Sequence, residues 1–202
     1  YPTEFMGALL TTEANNPKKL PSNILECRRL QLNLLGPDIN RSELGFGMDV
    51  VDGKPAIRFG LLGIKNCGEG AVEEILAKRP YASFDDFLMK VDQRKIHKSI
   101  IQSLIKAGCF DSMEPNRFKL WNYFCFTVRK MLPEGTQTTK KSAEFAPQYD
   151  EAAWDQDARL EWENEVLGIY VTGHPLDGLP YTRWNDIPDG RRNVTTSGVV
   201  KK

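Results

Sequence analysis

The stretch of residues 63–72 is the part of the sequence best suited to bind an anion. Gly68 and Gly70 stand directly before an apolar segment with helical spacing, so the backbone can turn sharply there and expose its amides. The unpaired N–H groups of the following helical turn would point at the same place, and Lys65 adds a positive charge. No neighbouring side chain is suited to read the edge of a base. A nucleic-acid phosphate, bound without sequence specificity, is therefore the natural ligand.

Two other phosphate-binding loops and a purely structural role compete with this interpretation. A dinucleotide-binding loop needs a third glycine at position 73, where the sequence has Glu73. A Walker-type loop needs Gly-Lys followed by Ser or Thr, and the sequence contains no such triplet. An ordinary turn between two helices explains residues 63–72 as well as a phosphate-binding hairpin does. The local sequence leaves these last two interpretations open.

Charge is balanced over the whole chain but strongly segregated along it. The 27 Lys and Arg residues match 27 Asp and Glu residues, which excludes a wholly basic nucleic-acid coat or an acidic tail protein. Residues 87–110 carry five basic side chains against one acidic one, residues 117–141 carry six against one, and residues 144–165 carry one against eight. This layout is typical of a chain with one nucleic-acid face, although solvated helix faces of mixed charge would also produce it. The acids of residues 155–165 are interpreted as a solvated face.

Neither a membrane segment nor a metal site is indicated. No apolar run approaches the ~18 residues that a membrane helix needs. The four cysteines form no C-x-x-C pair and there are only two histidines, which disfavours a zinc site and predicts reduced thiols in a cytoplasmic protein. Asp85 and Asp86 stand at a predicted helix start, where they favour the helix dipole. His97 is predicted on the solvent side of a helix and His174 in a turn, so no catalytic or metal-binding residue is proposed.

The spacing of apolar residues predicts a mainly α chain with one small β-hairpin. The hairpin covers residues 46–60 around the turn pair Asp52-Gly53. Ser22 is the predicted N-cap of the second helix and Ser83 that of the helix at residues 84–90. Residues 133–153 are predicted to be a surface loop and residues 194–200 a final strand. Helices are predicted at 2–12, 22–31, 70–78, 84–90, 94–107, 116–132 and 155–167.

Several segments occur in an order that is typical of one family. Residues 63–72 resemble the helix-hairpin-helix signature, in which the backbone amides of a hairpin bind DNA phosphate. The other segments are Tyr1–Leu10, Glu26–Arg29, Gly36–Asn40, Ile57–Leu61, Val91–Lys95, Leu104–Asp111 and Leu167–Asp177. Together they closely resemble the alpha subunits of bacterial DNA polymerase III, the C-family replicative polymerases, over essentially the whole chain apart from residues 133–153.

The resemblance implies a division of the chain into four parts. Residues 1–31 would end a fingers region, and residues 32–113 would form a tandem helix-hairpin-helix DNA-binding domain that includes the β-hairpin. Residues 114–185 would form a helical connector, and residues 186–202 would begin a truncated OB-type domain. Because the chain starts at Tyr1 instead of Met and ends without a closing element, we expect it to be part of a longer protein.

In this family the corresponding region holds duplex DNA behind the active site. The resemblance therefore implies that the chain grips primer–template DNA through its phosphate backbone, with other domains of the same polymerase as further partners. The first hairpin is matched by residues 65–70 and the second unit by residues 98–110. The candidate phosphate-binding residues are Lys65, Asn66, Cys67, Gly68, Glu69, Gly70, Lys95, Lys98, Lys106 and Gly108.

The resemblance places no catalytic residue and no cofactor in this chain. The family's catalytic carboxylates lie in a palm domain upstream, where Mg²⁺ is expected to assist phosphoryl transfer in the parent protein. Some members also carry a short motif that binds the sliding clamp. Its nearest counterpart here, Gln156–Leu160, has Arg159 where the motif has an apolar residue and falls in a predicted helix, which argues against clamp binding through this segment.

Two other functions remain open at this point. A stand-alone helix-hairpin-helix module of a repair or recombination protein would not carry the matches at residues 1–10 and 173–177. A protein-binding adaptor would dock its basic faces on an acidic partner, and a salt-dependent affinity for DNA would separate it from the polymerase interpretation. We favour the polymerase interpretation because several independent segments match in the right order.

Overall fold

The computed structural model describes residues 2–14, 16, 19–130 and 155–173. Its elements are α1 (Pro2–Thr12), α2 (Lys19–Arg29), β1 (Asn33–Leu35), β2 (Gly47–Val51), β3 (Lys54–Arg58), α3 (Glu69–Ala77), α4 (Phe84–Lys90), α5 (Lys98–Ala107), α6 (Arg117–Lys130) and α7 (Gln156–Leu167). A 3₁₀ turn, Leu61–Gly63, precedes α3. The mainly α prediction is confirmed. The predicted loop 133–153, strand 194–200 and OB-type segment 186–202 lie outside the described residues, as does His174.

The predicted β-hairpin is present and belongs to a three-stranded sheet. Strands β2 and β3 pair antiparallel, with Val51 opposite Lys54. Asp52 and Gly53 both have positive φ, 53° and 72°, as a two-residue turn between twisted strands requires. Strand β1, which was not predicted from the sequence, pairs parallel with β3 in the order β1-β3-β2. Three residues carry too little pattern to indicate a strand, so only the long-range pairing defines it.

Two predicted helix starts are wrong for local reasons. Helix α2 begins at Lys19 and not at Ser22, because Pro21 is tolerated in a first turn, where its missing N–H has no intrahelical partner. Helix α5 begins at Lys98 and not at residue 94, because Asp92 shapes a turn there: its Oδ1 accepts the Arg94 N–H at 2.9 Å. His97 is consequently the exposed N-cap residue of α5 and does not lie within the helix.

Helix termini with matching side-chain chemistry lie where the sequence placed them. Ser83 Oγ accepts the Asp86 N–H at 3.1 Å at the start of α4, and Asn116 Oδ1 accepts the Lys119 N–H at 3.0 Å at the start of α6. Asp155 caps α7 in the same way, accepting the Ala158 N–H at 2.9 Å.

One hydrophobic core underlies the sheet and the helices. Phe84 meets Phe110 edge to face with ring centroids 5.0 Å apart, which joins α4 to the end of α5. All four cysteines lie buried in or against this core as free thiols. Among the described helices, none is long and apolar enough to cross a membrane. The fully buried large side chains include Phe59, Leu61, Ile75, Leu104, Phe110 and Phe124.

Candidate nucleic-acid interface

We call residues 63–70 the hairpin segment, and its turn depends on Asn66. Ile64 and Cys67 are buried on either side of the turn, and the Cys67 N–H donates to the Ile64 carbonyl at 3.0 Å. Asn66 has φ of 68°, the left-handed conformation that Asn tolerates better than most residues. The expectation that Gly68 makes the sharp turn is wrong, because its φ of −76° and ψ of 164° are ordinary extended values.

The glycines serve instead to leave the backbone accessible. Gly68 is the N-cap of α3, and it, Glu69 and Gly70 are exposed. A Cβ added at Gly68 or Gly70 would meet no atom within 4 Å. The N–H groups of residues 68–70 have no acceptor within the described residues, since the first amides of a helix lack intrahelical partners. The arrangement offers three adjacent amides to an anion, although the Glu69 carboxylate beside them would repel one.

Lys65 and Cys67 have different parts in the hairpin segment. The Lys65 side chain is exposed, while its N–H donates to the Val166 carbonyl of α7 at 2.9 Å and ties the hairpin to that helix. Cys67 is 5% exposed, and burial raises the pKa of its thiol to about 12. Its side chain is thus a neutral core anchor. Because its amide is also used within the turn, the structure shows no group of Cys67 available to a phosphate.

Asn66 also connects the hairpin segment to α5. Its Nδ2 donates to the Ser103 hydroxyl at 3.0 Å, and Ser103 is 3% exposed. Asn66, which the sequence predicts to bind phosphate, therefore uses its side-chain amide for a contact inside the protein. Its amide side chain helps to fix the turn against the neighbouring helix.

A second exposed cationic segment, residues 91–98, precedes and begins α5, and we call it the basic loop. It carries Arg94, Lys95, His97 and Lys98, all of them exposed. Lys95 Nζ lies 3.2 Å from Glu74 Oε2 of α3, and this hydrogen bond, followed by one from the Asp92 N–H, holds the pKa of Glu74 below its ordinary value. Lys95 and Lys98, both predicted to bind phosphate, lie in this one exposed segment.

Lys106 and Gly108 lie at the opposite end of α5 from Lys98, at roughly 12 Å and roughly 15 Å along the helix axis at 1.5 Å per residue. Lys106 Nζ is 2.6 Å from Glu165 Oε2, and its side chain is 14% exposed. It also lies 5.3 Å from the Trp121 ring and 5.7 Å from the Trp162 ring. The Gly108 N–H donates to the Ile105 and Leu104 carbonyls as a helix cap. Both groups are engaged within the protein.

A buried ionic network, which was not predicted from the sequence, is centred on Arg117. Its guanidinium binds Asp111 with Nε–Oδ1 and Nη2–Oδ2 distances of 2.8 and 2.7 Å, and Nη1 donates to the Lys106 carbonyl at 2.9 Å. Nη2 also lies 3.2 Å from Glu163 Oε1, and both side chains of that pair are almost fully buried. Burial lowers the pKa of Arg117, but the Asp111 hydrogen bonds and the two carboxylate charges outweigh burial and raise it.

Glu163 corrects the expectation that the acids of residues 155–165 form a solvated face. It is 1% exposed, and its second oxygen accepts the Val171 and Thr172 N–H groups at 2.8 and 3.0 Å. The network thus joins the end of α5, the start of α6 and the chain after α7. Arg117, one of the six basic residues counted between residues 117 and 141, is therefore not part of an exposed basic surface.

A cavity of about 530 Å³ is lined by residues of the hairpin segment, of α7 and of the α1–α2 junction. Its walls include Leu20, Ile64 and Val166 as apolar groups and Lys65 and Glu165 as charged ones. In the part of the chain that the structure describes, no three His, Cys, Asp or Glu side chains are grouped to hold a metal ion. The groups that this surface offers to a ligand are backbone amides and cationic side chains that face solvent.

The chain is similar to a known motif family and to known polymerase subunits. Residues 31–120, which include the hairpin segment and the basic loop, match the family model described as a helix-hairpin-helix motif. DNA polymerase III subunit alpha of Campylobacter jejuni is 39% identical over 194 residues, covering 88% of this chain and 16% of that protein. The corresponding subunit of Aquifex aeolicus is 36% identical over 212 residues, covering 99% and 17%, and that of Vibrio cholerae is 33% identical over 225 residues, covering 99% and 19%.

These matches confirm the resemblance read from the sequence. The chain contains a helix-hairpin-helix motif and is related, over nearly its whole length, to a segment of bacterial DNA polymerase III alpha subunits. It spans 16% to 19% of the length of these relatives.

Proposed function

We propose that this chain binds duplex DNA through its phosphate backbone, without sequence specificity, and does so as part of a DNA polymerase III alpha subunit. The observation that carries the proposal is the trio of exposed amides at residues 68–70, which have no acceptor among the described residues. They lie beside Lys65, within the segment that matches the helix-hairpin-helix model. Backbone amides and lysines recognise phosphate and carry no base information. In a polymerase this surface would hold the primer–template duplex.

Lys95 and Lys98 would add phosphate contacts from the basic loop. Lys106 and Gly108 are the weakest of the predicted ligands, because Glu165 holds the first and the helix cap uses the second. Nucleotide polymerisation would require a palm domain with Mg²⁺, to which the described residues contribute no metal site. We also propose a cytoplasmic location, where replication takes place, and further contacts with other polymerase domains. The clamp-motif counterpart Gln156–Leu160 starts helix α7, with Leu160 buried, so clamp contact is not proposed for it.

The test is fluorescence anisotropy of a labelled primer–template duplex titrated with the chain over a salt series. We expect weak binding that is indifferent to sequence and whose logarithm falls by ~0.9 per logarithmic unit of salt for each phosphate engaged. Gly70→Val and Lys65→Glu should weaken binding, the first by crowding the exposed amides and the second by reversing a charge. Gly53→Ala, at the distant β-turn, is a control for general destabilisation.

Two results would separate this function from its alternatives. If the folded chain fails to bind duplex at low salt, the hairpin segment is no DNA site and a protein-binding adaptor is favoured. If it binds and the Lys65→Glu variant binds equally well, another surface is responsible.

A further inference from the structure

Glu74 of α3 has both carboxylate oxygens committed to the basic loop. Oε1 accepts the Asp92 N–H and Oε2 contacts Lys95 Nζ, each at 3.2 Å. The Glu74 side chain is only 9% exposed, whereas that of Lys95 is 58% exposed. A nearly buried carboxylate on the helix that follows the hairpin segment thus reaches across to a different surface loop.

The residue that Glu74 holds is the one that shapes the basic loop. Asp92 Oδ1 accepts the Arg94 N–H at 2.9 Å, and its carbonyl accepts the Lys95 and Ile96 N–H groups at 2.9 and 2.8 Å. The turn from which the cations project is therefore built on Asp92. Fixing the Asp92 backbone fixes the direction in which those cations point.

Asn66 makes a second connection between the same two parts. From the turn of the hairpin segment it donates to Ser103 of α5, and α5 begins with Lys98, the last residue of the basic loop. Glu74 connects the basic loop to α3, the helix that follows the hairpin segment. Asn66 connects the hairpin segment to α5, the helix that follows the basic loop. The two crossed contacts restrain relative movement of the two cationic segments.

We propose that Glu74 is a positioning residue which, together with Asn66, holds the hairpin segment and the basic loop as one rigid surface for the DNA backbone. This inference rests on the proposed function. Two weak contact sites bind one duplex tightly only if their spacing is set beforehand, because otherwise binding must order them. Because the Glu74 side chain is nearly buried and both its oxygens are engaged, its role is to orient Asp92 and Lys95 and not to contact DNA itself.

The sign of one mutational effect distinguishes positioning from simple electrostatics. Removing an acid near DNA should strengthen binding by reducing repulsion, and Glu73→Ala, at an exposed position on the same helix, provides that reference. Glu74→Ala removes an equal charge, yet we expect it to weaken duplex binding in the same anisotropy assay. Glu74→Gln keeps an acceptor for the Asp92 N–H and should restore most of the loss.

The contribution of Lys98 provides the second readout. In the unaltered chain, Lys98→Ala should reduce the salt slope by about 0.9 if one phosphate contact is lost. In the Glu74→Ala background the same substitution should reduce it by less than half as much, and in the Glu73→Ala background by the full amount. Hydrogen exchange without DNA should show faster exchange of the Lys95 and Ile96 amides in Glu74→Ala, with Val72 unchanged.

Each outcome decides a different point. If the unaltered chain does not bind duplex, the proposed function fails and this inference fails with it. If the chain binds but Glu74→Ala behaves like Glu73→Ala in affinity and in the Lys98 slope, the proposed function stands and the positioning role is overturned. Unchanged exchange at Lys95 and Ile96 in Glu74→Ala would overturn it as well.

Discussion

The guanidinium of Arg117 occupies the space that a side chain at Gly108 would need. Gly108 has φ of 83°, and an added Cβ would collide with the Nη2 and Cζ atoms of Arg117. The left-handed helix end and the buried ionic network therefore require glycine for two independent reasons. Gly168, at the end of α7, has a similar φ of 70° but no atom within 4 Å of an added Cβ.

These two glycines form a matched pair for stability measurements. Gly168→Ala should cost about 1 kcal/mol, the strain of a left-handed alanine. Gly108→Ala should cost about 2–4 kcal/mol, because overpacking against Arg117 adds to that strain. Urea unfolding followed by circular dichroism gives both values. Equal costs would mean that Arg117 moves aside without penalty.

The Lys106–Glu165 contact makes a prediction about which cations reach DNA. If Glu165 keeps Lys106 from a phosphate, Glu165→Gln should tighten duplex binding and increase the salt slope by about 0.9. Glu161→Gln removes a charge from an exposed position on the same helix and should leave the slope unchanged. Anisotropy titrations at several salt concentrations measure both. Equal slopes in the two variants would leave Lys106 with a purely structural role between Trp121 and Trp162.

The sheet carries an acid-sensitive ion pair between Asp49 and Arg58, with Oδ2–Nε of 2.6 Å. Burial raises the pKa of Asp49, but hydrogen bonds from Arg58 and the Val50 N–H outweigh it and hold the pKa below its ordinary value. The pair therefore stabilises the fold above the unfolded-state pKa of about 4, and this contribution is lost as the pH falls through the lower folded-state pKa.

Asp49→Asn should reduce stability at pH 7 by ~1 kcal/mol and flatten the decline of stability below pH ~4. Asp52→Asn, at the exposed tip of the same hairpin, should preserve that decline. Urea unfolding between pH 2.5 and 7 provides the comparison. An identical pH profile for Asp49→Asn and the unaltered chain would rule out this ion pair as a source of acid sensitivity.

The burial of the four thiols predicts how fast they react with a disulfide reagent. Burial raises the pKa of Cys67 to about 12, that of Cys125 to about 11, and those of Cys27 and Cys109 above their ordinary value. Since the thiolate is the reactive form, all four should react slowly with a disulfide reagent at pH 8 in the native chain and rapidly in denaturant. Absorbance of the released thiol follows the reaction. Rapid native labelling of any of the four would contradict its burial.

The features predicted correctly from sequence are those set by local chemistry. The Asp52-Gly53 turn and the Ser83 cap need only neighbouring residues, and the structure has both. The Arg117–Glu163 pair joins residues far apart in the chain, and charge counting placed Arg117 in a basic surface segment and Glu163 in a solvated acidic face. A sequence pattern records that a side chain is charged but not which buried partner it meets.

In the candidate site, too, the features set by neighbouring residues could be predicted from the sequence and the long-range contacts could not. Gly68 and Gly70 lie at an exposed helix start and Lys65 is exposed shortly before it, as the sequence predicts, because glycine spacing before an apolar helix is a local signal. Glu74 was not identified, since nothing near it in sequence indicates that its oxygens reach Asp92 and Lys95. Strand β1 was missed for the same reason, as its partner β3 lies beyond a loop and another strand.

The hydrogen bond from the Lys65 N–H to the Val166 carbonyl joins residues roughly 100 positions apart. A contact between residues so far apart in the chain forms late in folding. Bringing the two residues together costs loop-closure entropy, and this cost is offset only after much of the intervening chain has folded. During synthesis the hairpin would therefore leave the ribosome well before the helix that supports it. The turn of the hairpin segment gains its final support only after α7 has been made.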